Sequence, residues 1–277
     1  MTSVRQDARS ATELASAEAE RAGVRIVELA HPQELAAVAA LLAGVWRLPP
    51  PRVHLETGLL VALAHTGNYV VGAYRGDRLV GACVGFLAAP AGEVVHSHIA
   101  GVIPGDAGSG VGRALKLHQR AWALQRGMSH ITWTFDPLIA RNAYFNIHRL
   151  GSGASEYLVD FYGPMTDGLN IGQGSDRMLL DWFLLDDVGP RAHPSASAVV
   201  ALHEGDDGEP VTAPVPAGAT EIRLGIPSDI EALRVADPDL SARWRTALRS
   251  AMLEPMASGW RVIDFLRDGY YVLRKDA

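Results

Sequence analysis

The chain has a single cysteine, Cys83, so no disulfide can form within it and a metal site built from thiolates is excluded. Cys83 lies in the apolar run LVGACVGFL and reads as a small core residue. No apolar stretch approaches the ~18 residues that a membrane-spanning helix needs. The N-terminal stretch MTSVRQDARSATELASAEAERAG mixes acids and bases and lacks the apolar centre of a leader peptide. These absences lead us to expect a cytoplasmic protein without a membrane partner. Excess positive charge is missing too: 25 Lys and Arg stand against 31 Asp and Glu. A net charge of −6 argues mildly against a general nucleic-acid binder, which would carry a basic face. Apolar residues, by contrast, make up 48% of the 277 positions, enough to bury a substantial core in one large domain or one and a half.

Periodicity organises that content. Residues 1–22 read as a flexible or helical tail with little to bury. A core is expected over residues 23–188. It begins with a strand at VRIVEL, followed by helices at HPQELAAVAALLAGVWR and VHLETGLLVALAHTG on either side of Pro49-Pro50-Pro51. Strands follow at NYVVGAYR and RLVGACVGFLA, joined by Gly76-Asp77, and at EVVHSHIAGVI. After a glycine loop come the helix GRALKLHQRAWALQRG, the strand HITWTF, the short helix ARNAYFNIHRLG and the strands ASEYLVDFYG and SDRMLLDWFLL. Residues 189–220, rich in Pro, Gly and acids, read as a linker with a hairpin turning at Gly205-Asp206-Asp207-Gly208. Residues 221–277 form an extension: a strand, two helices and a hairpin turning at Asp268-Gly269.

The stretch VIPGDAGSGVGRALKLHQ carries the strongest signal. Gly108, Gly110 and Gly112 stand at the mouth of a helix. The unpaired N–H groups there attract an anion, and glycine lets the backbone approach it closely. A phosphate loop of the P-loop type is excluded because no Gly-Lys-Ser/Thr follows. The dinucleotide fingerprint does not fit either, since the spacing is G-x-G-x-G and no acid ends a strand about 20 residues on.

Strand, glycine loop, helix, strand ending at Asp136 and then RNAYFNIHRLG: in this order the chain resembles the GNAT superfamily of acyl-CoA-dependent N-acyltransferases. The resemblance runs from Val24 to Leu185. The family loop, Arg/Gln-x-x-Gly-x-Gly/Ala, falls on Ala107-Gly108-Ser109-Gly110-Val111-Gly112. Its two glycines match Gly110 and Gly112, while its leading basic or amide residue is Ala107 here. The segments ITWTFDPLIARNAYFNIHRLG, FYGPMTDGLNIG and SDRMLLDWFL resemble a longer branch with a C-terminal extension, some of whose members are assigned as amino-acid N-succinyltransferases. The resemblance implies an α/β (α+β) fold with a mixed, mostly antiparallel twisted sheet flanked by helices. It implies transfer of an acetyl or succinyl group from acetyl-CoA or succinyl-CoA to a small-molecule amine acceptor. Coenzyme A would meet Val102, Ile103, Gly108, Ser109, Gly110, Val111, Gly112 and Arg113, with Asn142 and Phe145 along its pantetheine arm. The alternatives are a degenerate module that binds acyl-CoA or a metabolite as a sensor, and a CoA-independent enzyme on the same fold.

The chemistry needs a base for the amine, a donor for the oxyanion and an acid for the leaving thiolate. His96 and His98 lie two apart on one strand face and titrate in a useful range. A metal is not expected there, since no third ligand is spaced to complete a site. The oxyanion donor would be a backbone N–H near Val102. The family's acid, a tyrosine on the short helix, falls on Ile147, leaving His148, about 100° further round, as the substitute. Asp136, at a strand end, is a further catalytic candidate or the cap of its turn. Arg141 and Arg177 would bind a substrate carboxylate, or else form surface ion pairs. The C-terminal extension is expected to pack on the core, covering the acceptor cleft or forming a homodimer contact.

Overall fold

The computed structural model describes residues 2–165, 174–190, 195 and 198–275. Part of the FYGPMTDGLNIG stretch and part of the expected linker lie outside these residues. Contacts divide the described chain at Trp133 rather than near residue 188. The first unit runs to Trp133 and takes in Phe183–Leu185, and the second holds the rest from Thr134 onward.

In the first unit, α1 (Thr2–Arg21) precedes β1 (Arg25–Glu28). Helix α2 (Pro32–Val45) starts at a cap in which the His31 ring accepts from the Gln33 N–H and the Glu34 carboxylate accepts from the His31 N–H, with Pro32 pre-setting the first turn. After α3 (Thr57–His65) come β2 (Tyr69–Arg75), β3 (Arg78–Ala88) and β4 (Val94–Val102), each antiparallel to its predecessor in the order β1-β2-β3-β4. Helix α4 (Val111–Gln125) then returns the chain to β5 (His130–Phe135), whose first residues pair with β4 in parallel.

Side-chain alternation gives the sheet two buried faces. Val70, Ala82 and Val84 pack against Leu35, Val38, Leu42 and Leu60 of α2 and α3. On the other face Tyr69 donates its hydroxyl to the Leu115 carbonyl, bringing α4 down. Gly81 permits that approach, because a Cβ there would meet Val111 and Leu115 at 3.2 and 3.3 Å. The N-terminal tail is a packed helix. Ala11, Ala15 and Ala22 form a buried stripe against α4, and Gln125 donates to Thr12, so the two helices run antiparallel. Small residues allow this packing without large apolar side chains, so a reading that looks for large side chains misses it.

The second unit opens with α5 (Ala140–Ala143), which widens into a π-helical segment over Tyr144–Arg149. Strands β6 (Gly153–Leu158) and β7 (Arg177–Phe183, in the second unit up to Trp182) are antiparallel. A second sheet has the order β11-β12-β10-β8-β9, from β8 (Val199–Glu204), β9 (Pro210–Thr212), β10 (Glu221–Gly225), β11 (Trp260–Phe265) and β12 (Tyr270–Lys275). The expected hairpins are present as β8–β9 and β11–β12, the latter turning at Gly269 with φ +90°. Asp229 and Asp237 cap α6 (Ile230–Ala236) and α7 (Pro238–Ala257) through their carboxylates. The architecture is mixed α/β, with mostly antiparallel open sheets flanked by helices. Among the described residues no helix is long and apolar enough to cross a membrane.

Candidate functional site

In the first unit β4 and β5 pair only over Val94–His96 and His130–Thr132, although β4 continues to Val102. Beyond His96, one edge of β4 therefore faces no partner from β5. Ile103 donates its N–H to Val80, so by strand alternation the Val102 N–H points away from β3, toward the side that β5 has left. His98 is an extra residue in β4: Val84 pairs with Ile99 and Gly85 with Ser97, leaving His98 as a bulge. Bulges re-aim side chains, and this one leaves His98 exposed.

The glycine loop comes back beside the end of β4, where a Cβ at Gly112 would stand 4.0 Å from the Val102 side chain. Gly108 and Gly110 take φ +77° and +92°, the left-handed region that glycine enters without strain. Gly110 is the N-cap of α4, with no side-chain cap and no acid in the first turn. The first helical bond runs from the Ala114 N–H to the Gly110 carbonyl, so the N–H groups of Val111, Gly112 and Arg113 have no helical partner. The charged groups around the loop have other partners. Ser109 turns both its hydroxyl and its N–H back to the Asp106 carbonyl, and Asp106 is held by Arg75 at 2.9 Å and Arg78 at 2.7 Å. Arg113 donates to the buried Glu18 of α1 at 2.7 Å, and Arg21 holds the same carboxylate.

The two histidines differ. His96 lies 3.1 Å from the Thr132 hydroxyl, and burial, reinforced by His98 and Lys116, pushes its pKa down to about 4. His98 is lowered by burial and by His54, and among the described residues it has only ring contacts, to Phe86 and His96. Both shifts favour the neutral imidazole. Between them, Ser97 points to the opposite face and accepts from Lys116 at 2.9 Å. Lys116 is buried, lies 3.7 Å from the centre of the Trp133 ring and is pushed down to about 8 by desolvation. Sequence reading missed this lysine; the signal was its place on the buried side of α4 between Leu115 and Leu117.

In the second unit Asp136 is buried and saturated. It accepts from the Leu138 N–H at 3.0 Å, from both terminal nitrogens of Arg245 at 3.1 and 2.8 Å, and from Arg234 at 2.6 Å. Burial alone would raise its carboxyl, but Arg245, Arg234 and Arg177 outweigh that and hold it below the ordinary range. Geometry thus gives Asp136 the work of organising arginines rather than taking up a proton. Asp176 plays the same part for Arg249, at 2.9 and 2.7 Å, and for the Tyr157 hydroxyl at 2.8 Å. His148 lies 3.0 Å from the buried Asp264 and stacks on Tyr144, whose hydroxyl accepts from Arg267. Ile147 is buried beside it, and Asn142 and Phe145 are half-buried. Arg141 is exposed and forms a two-pronged pair with Glu231. Arg177 is buried near Asp136. Asp176, Asp264, Arg234, Arg245 and Arg249, like Lys116, are residues that sequence reading did not single out. Among the described residues no group of three His, Cys, Asp or Glu can hold a metal ion.

No protein-family model matches the chain, and no curated protein matches it by sequence. Solved structures do resemble it. One is the putative acetyltransferase yncA from Salmonella typhimurium with its cofactor acetyl-CoA, at 17% identity and a TM-score of 0.48 over 62% of this chain and 98% of that one. Another is the ribosomal-protein-S18-alanine N-acetyltransferase from Escherichia coli, at 13% identity and a TM-score of 0.46 over 62% and 99%. A third is Ard1 from Thermoplasma volcanium, at 16% identity and a TM-score of 0.45 over 59% and 99%.

Proposed function

We propose that this chain is a GNAT-like N-acyltransferase that moves an acetyl or succinyl group from acyl-CoA to the amine of a small molecule, with amino acids among the acceptors. One observation carries the reading: β4 loses its β5 partner after His96, on the approach to an α4 N-terminus that no side chain caps. An extended arm bearing amides pairs with an open strand edge, and a diphosphate pairs with free helical N–H groups. The loop from Gly108 to Arg113 is proposed to receive that anion through its backbone, since Ser109 and Arg113 have other partners.

His98 is proposed as the base. It is exposed and shifted toward its neutral form, whereas His96, half-buried and pushed down to about 4, is a weak proton acceptor. The Val102 N–H is proposed to meet the developing oxyanion. Asn142 and Phe145 along the pantetheine arm, His148 at the leaving thiol, and Arg141 and Arg177 toward a carboxylate are proposed on the resemblance. The protein is proposed to act in the cytoplasm, without nucleic-acid or membrane partners.

The engagement of Arg113 by Glu18 and the apolar Ile147 favour a second reading, a module that binds acyl-CoA as a sensor. Isothermal titration with CoA, acetyl-CoA and succinyl-CoA tests both readings. Micromolar binding with one acyl form tighter supports them, and no binding to any of the three sinks them. Turnover of an amine by the wild type, reduced ~10²-fold or more in His98→Ala at unchanged CoA affinity, separates the enzyme from the sensor.

A further inference from the structure

Among the described residues, Arg177 is a buried cation whose charge no carboxylate takes up at hydrogen-bonding distance. Its side chain is 7% exposed, and the one carboxylate paired with it among the described residues, Asp136, has its oxygen 4.0 Å away. That oxygen already accepts from Arg234 and Arg245. Asp176 is likewise taken, by Arg249, Tyr157 and the Asp160 N–H. Arg177 is left with the carbonyl of Asp176 at 2.7 Å and, at 2.8 Å, the thioether sulfur of Met165. A thioether is a weak acceptor, while the guanidinium fork is shaped for two oxygens. Burial, with Arg245 and Arg234 close by, pulls the Arg177 pKa down, as expected of a cation short of negative charge.

The surroundings suggest what would supply that charge. The Tyr162 ring centre lies 5.4 Å from the guanidinium, and the Tyr162 hydroxyl is tied to Thr134. Val159, Phe161 and Tyr162 stay exposed on this short segment, Phe161 standing edge-on to Tyr162. A guanidinium short of negative charge beside an exposed apolar rim suits a carboxylate attached to an apolar or extended body.

We propose that Arg177 is the anchor of a carboxylate-binding site in the second unit, where a ligand carboxylate displaces the Met165 thioether and lies under Tyr162. On the acyltransfer reading above, on which the identity of the ligand rests, that carboxylate belongs either to the acceptor, as an apolar amino acid, or to the donor, as the free end of a dicarboxylic acyl group. Arg141 is the weaker choice for this role because Glu231 already fills its fork.

The test uses the full-length protein. Titrations compare 4-methylpentanoate with 4-methylpentanamide, phenylalanine with phenethylamine, and succinyl-CoA with acetyl-CoA, on the wild type, Arg177→Met and Arg177→Lys. The wild type is expected to prefer 4-methylpentanoate over its amide by roughly tenfold. Arg177→Met is expected to remove that preference, and Arg177→Lys to restore only part of it, because lysine keeps the charge but not the fork. A matching loss for phenylalanine assigns the carboxylate to the acceptor, and a loss for succinyl-CoA assigns it to the donor. Equal wild-type binding of the acid and its amide overturns the proposal, whatever the variants do. The acid and amide pair involves no CoA, so a failure to bind CoA while 4-methylpentanoate is preferred brings down the acyltransfer reading and leaves this site standing.

Discussion

Lys116 shows at the residue scale what the α4–β4 contact costs. Its ammonium has a hydroxyl, an amide oxygen and an aromatic face for company, and no carboxylate among its hydrogen-bond partners. Burial lowers its pKa from 10.5 to about 8. Native lysine therefore gives up its proton more readily than the unfolded chain does. Between those two values the unfolded state holds a proton that the native state has released, so this group makes stability rise with pH across that window. Below about pH 8 both states are charged and the burial penalty is present in full. Lys116→Met keeps the length of the side chain and removes the charge. It should leave the protein equally stable or more stable by about 1 kcal/mol at pH 7, the orphaning of Ser97 and Gln119 offsetting part of the gain. It should also flatten the rise above pH 8. Denaturant melts of both proteins at pH 7 and pH 9.5 check this, and a lysine form that loses stability relative to the variant as pH rises would refute it. At this scale the sequence is legible where chemistry is local. The His96 and His98 pair and the loop glycines follow from spacing. The partners of Asp136 and His148 are invisible to spacing, because Arg245 and Asp264 lie 109 and 116 positions away.

Helix α1 makes the element-scale argument. Its alanine stripe brings it close along α4, which carries Glu18 to the mouth of the glycine loop. The Glu18 carboxylate lies 3.8 Å from where a Gly110 Cβ would stand. A negative charge there opposes an incoming diphosphate and also occupies Arg113. Glu18→Gln should therefore tighten CoA binding, roughly threefold or more, because it removes the repulsion and frees a guanidinium for a charge-assisted bond. The salt dependence of binding should steepen with the extra cation. Titration at two ionic strengths reads both effects, and unchanged or weaker affinity would mean that Glu18 serves only to order the loop. Strands, capped helices and the Asp268-Gly269 turn were legible as elements because each carries its own period or turn chemistry. The π-helical widening over Tyr144–Arg149 was not, since it depends on packing around Asn146 and Ile147 rather than on a local signal. Nor was the order of α1, whose small side chains read as a tail.

For the whole molecule, the decisive point is which parts of the chain share a core. Composition places a boundary after residue 188, where Pro, Gly and acids accumulate. Contacts instead gather α5, β6 and most of β7 with everything after Asp186. Strand β11 packs on β6 and on the π-helical segment, and α7 packs on β6. Tyr271 donates to the Pro137 carbonyl at 2.6 Å. Asp136 and Asp176 are buried carboxylates whose arginine partners, Arg234, Arg245 and Arg249, all come from the C-terminal segment. Cutting the chain after residue 220 would strip both carboxylates of those cations, and breaking such a buried pair costs about 3–5 kcal/mol. It would also expose the surfaces that Trp244, Leu248 and Tyr271 cover. Losses of that size equal most of the stability of an ordinary domain. A chain ending at residue 220 should therefore be insoluble or molten, and 221–277 expressed alone should aggregate through WRVIDFL. Asp136→Asn isolates the electrostatic part: it leaves the chain whole but takes the negative charge away from Arg245 and Arg234, and should destabilise by about 3–5 kcal/mol. Gel filtration and near-UV circular dichroism of the two fragments, with denaturant melts of the point variant, provide the measurement. A monomeric, cooperatively folding fragment ending at residue 220 would show that the arginines contribute to function alone and that the core closes without them.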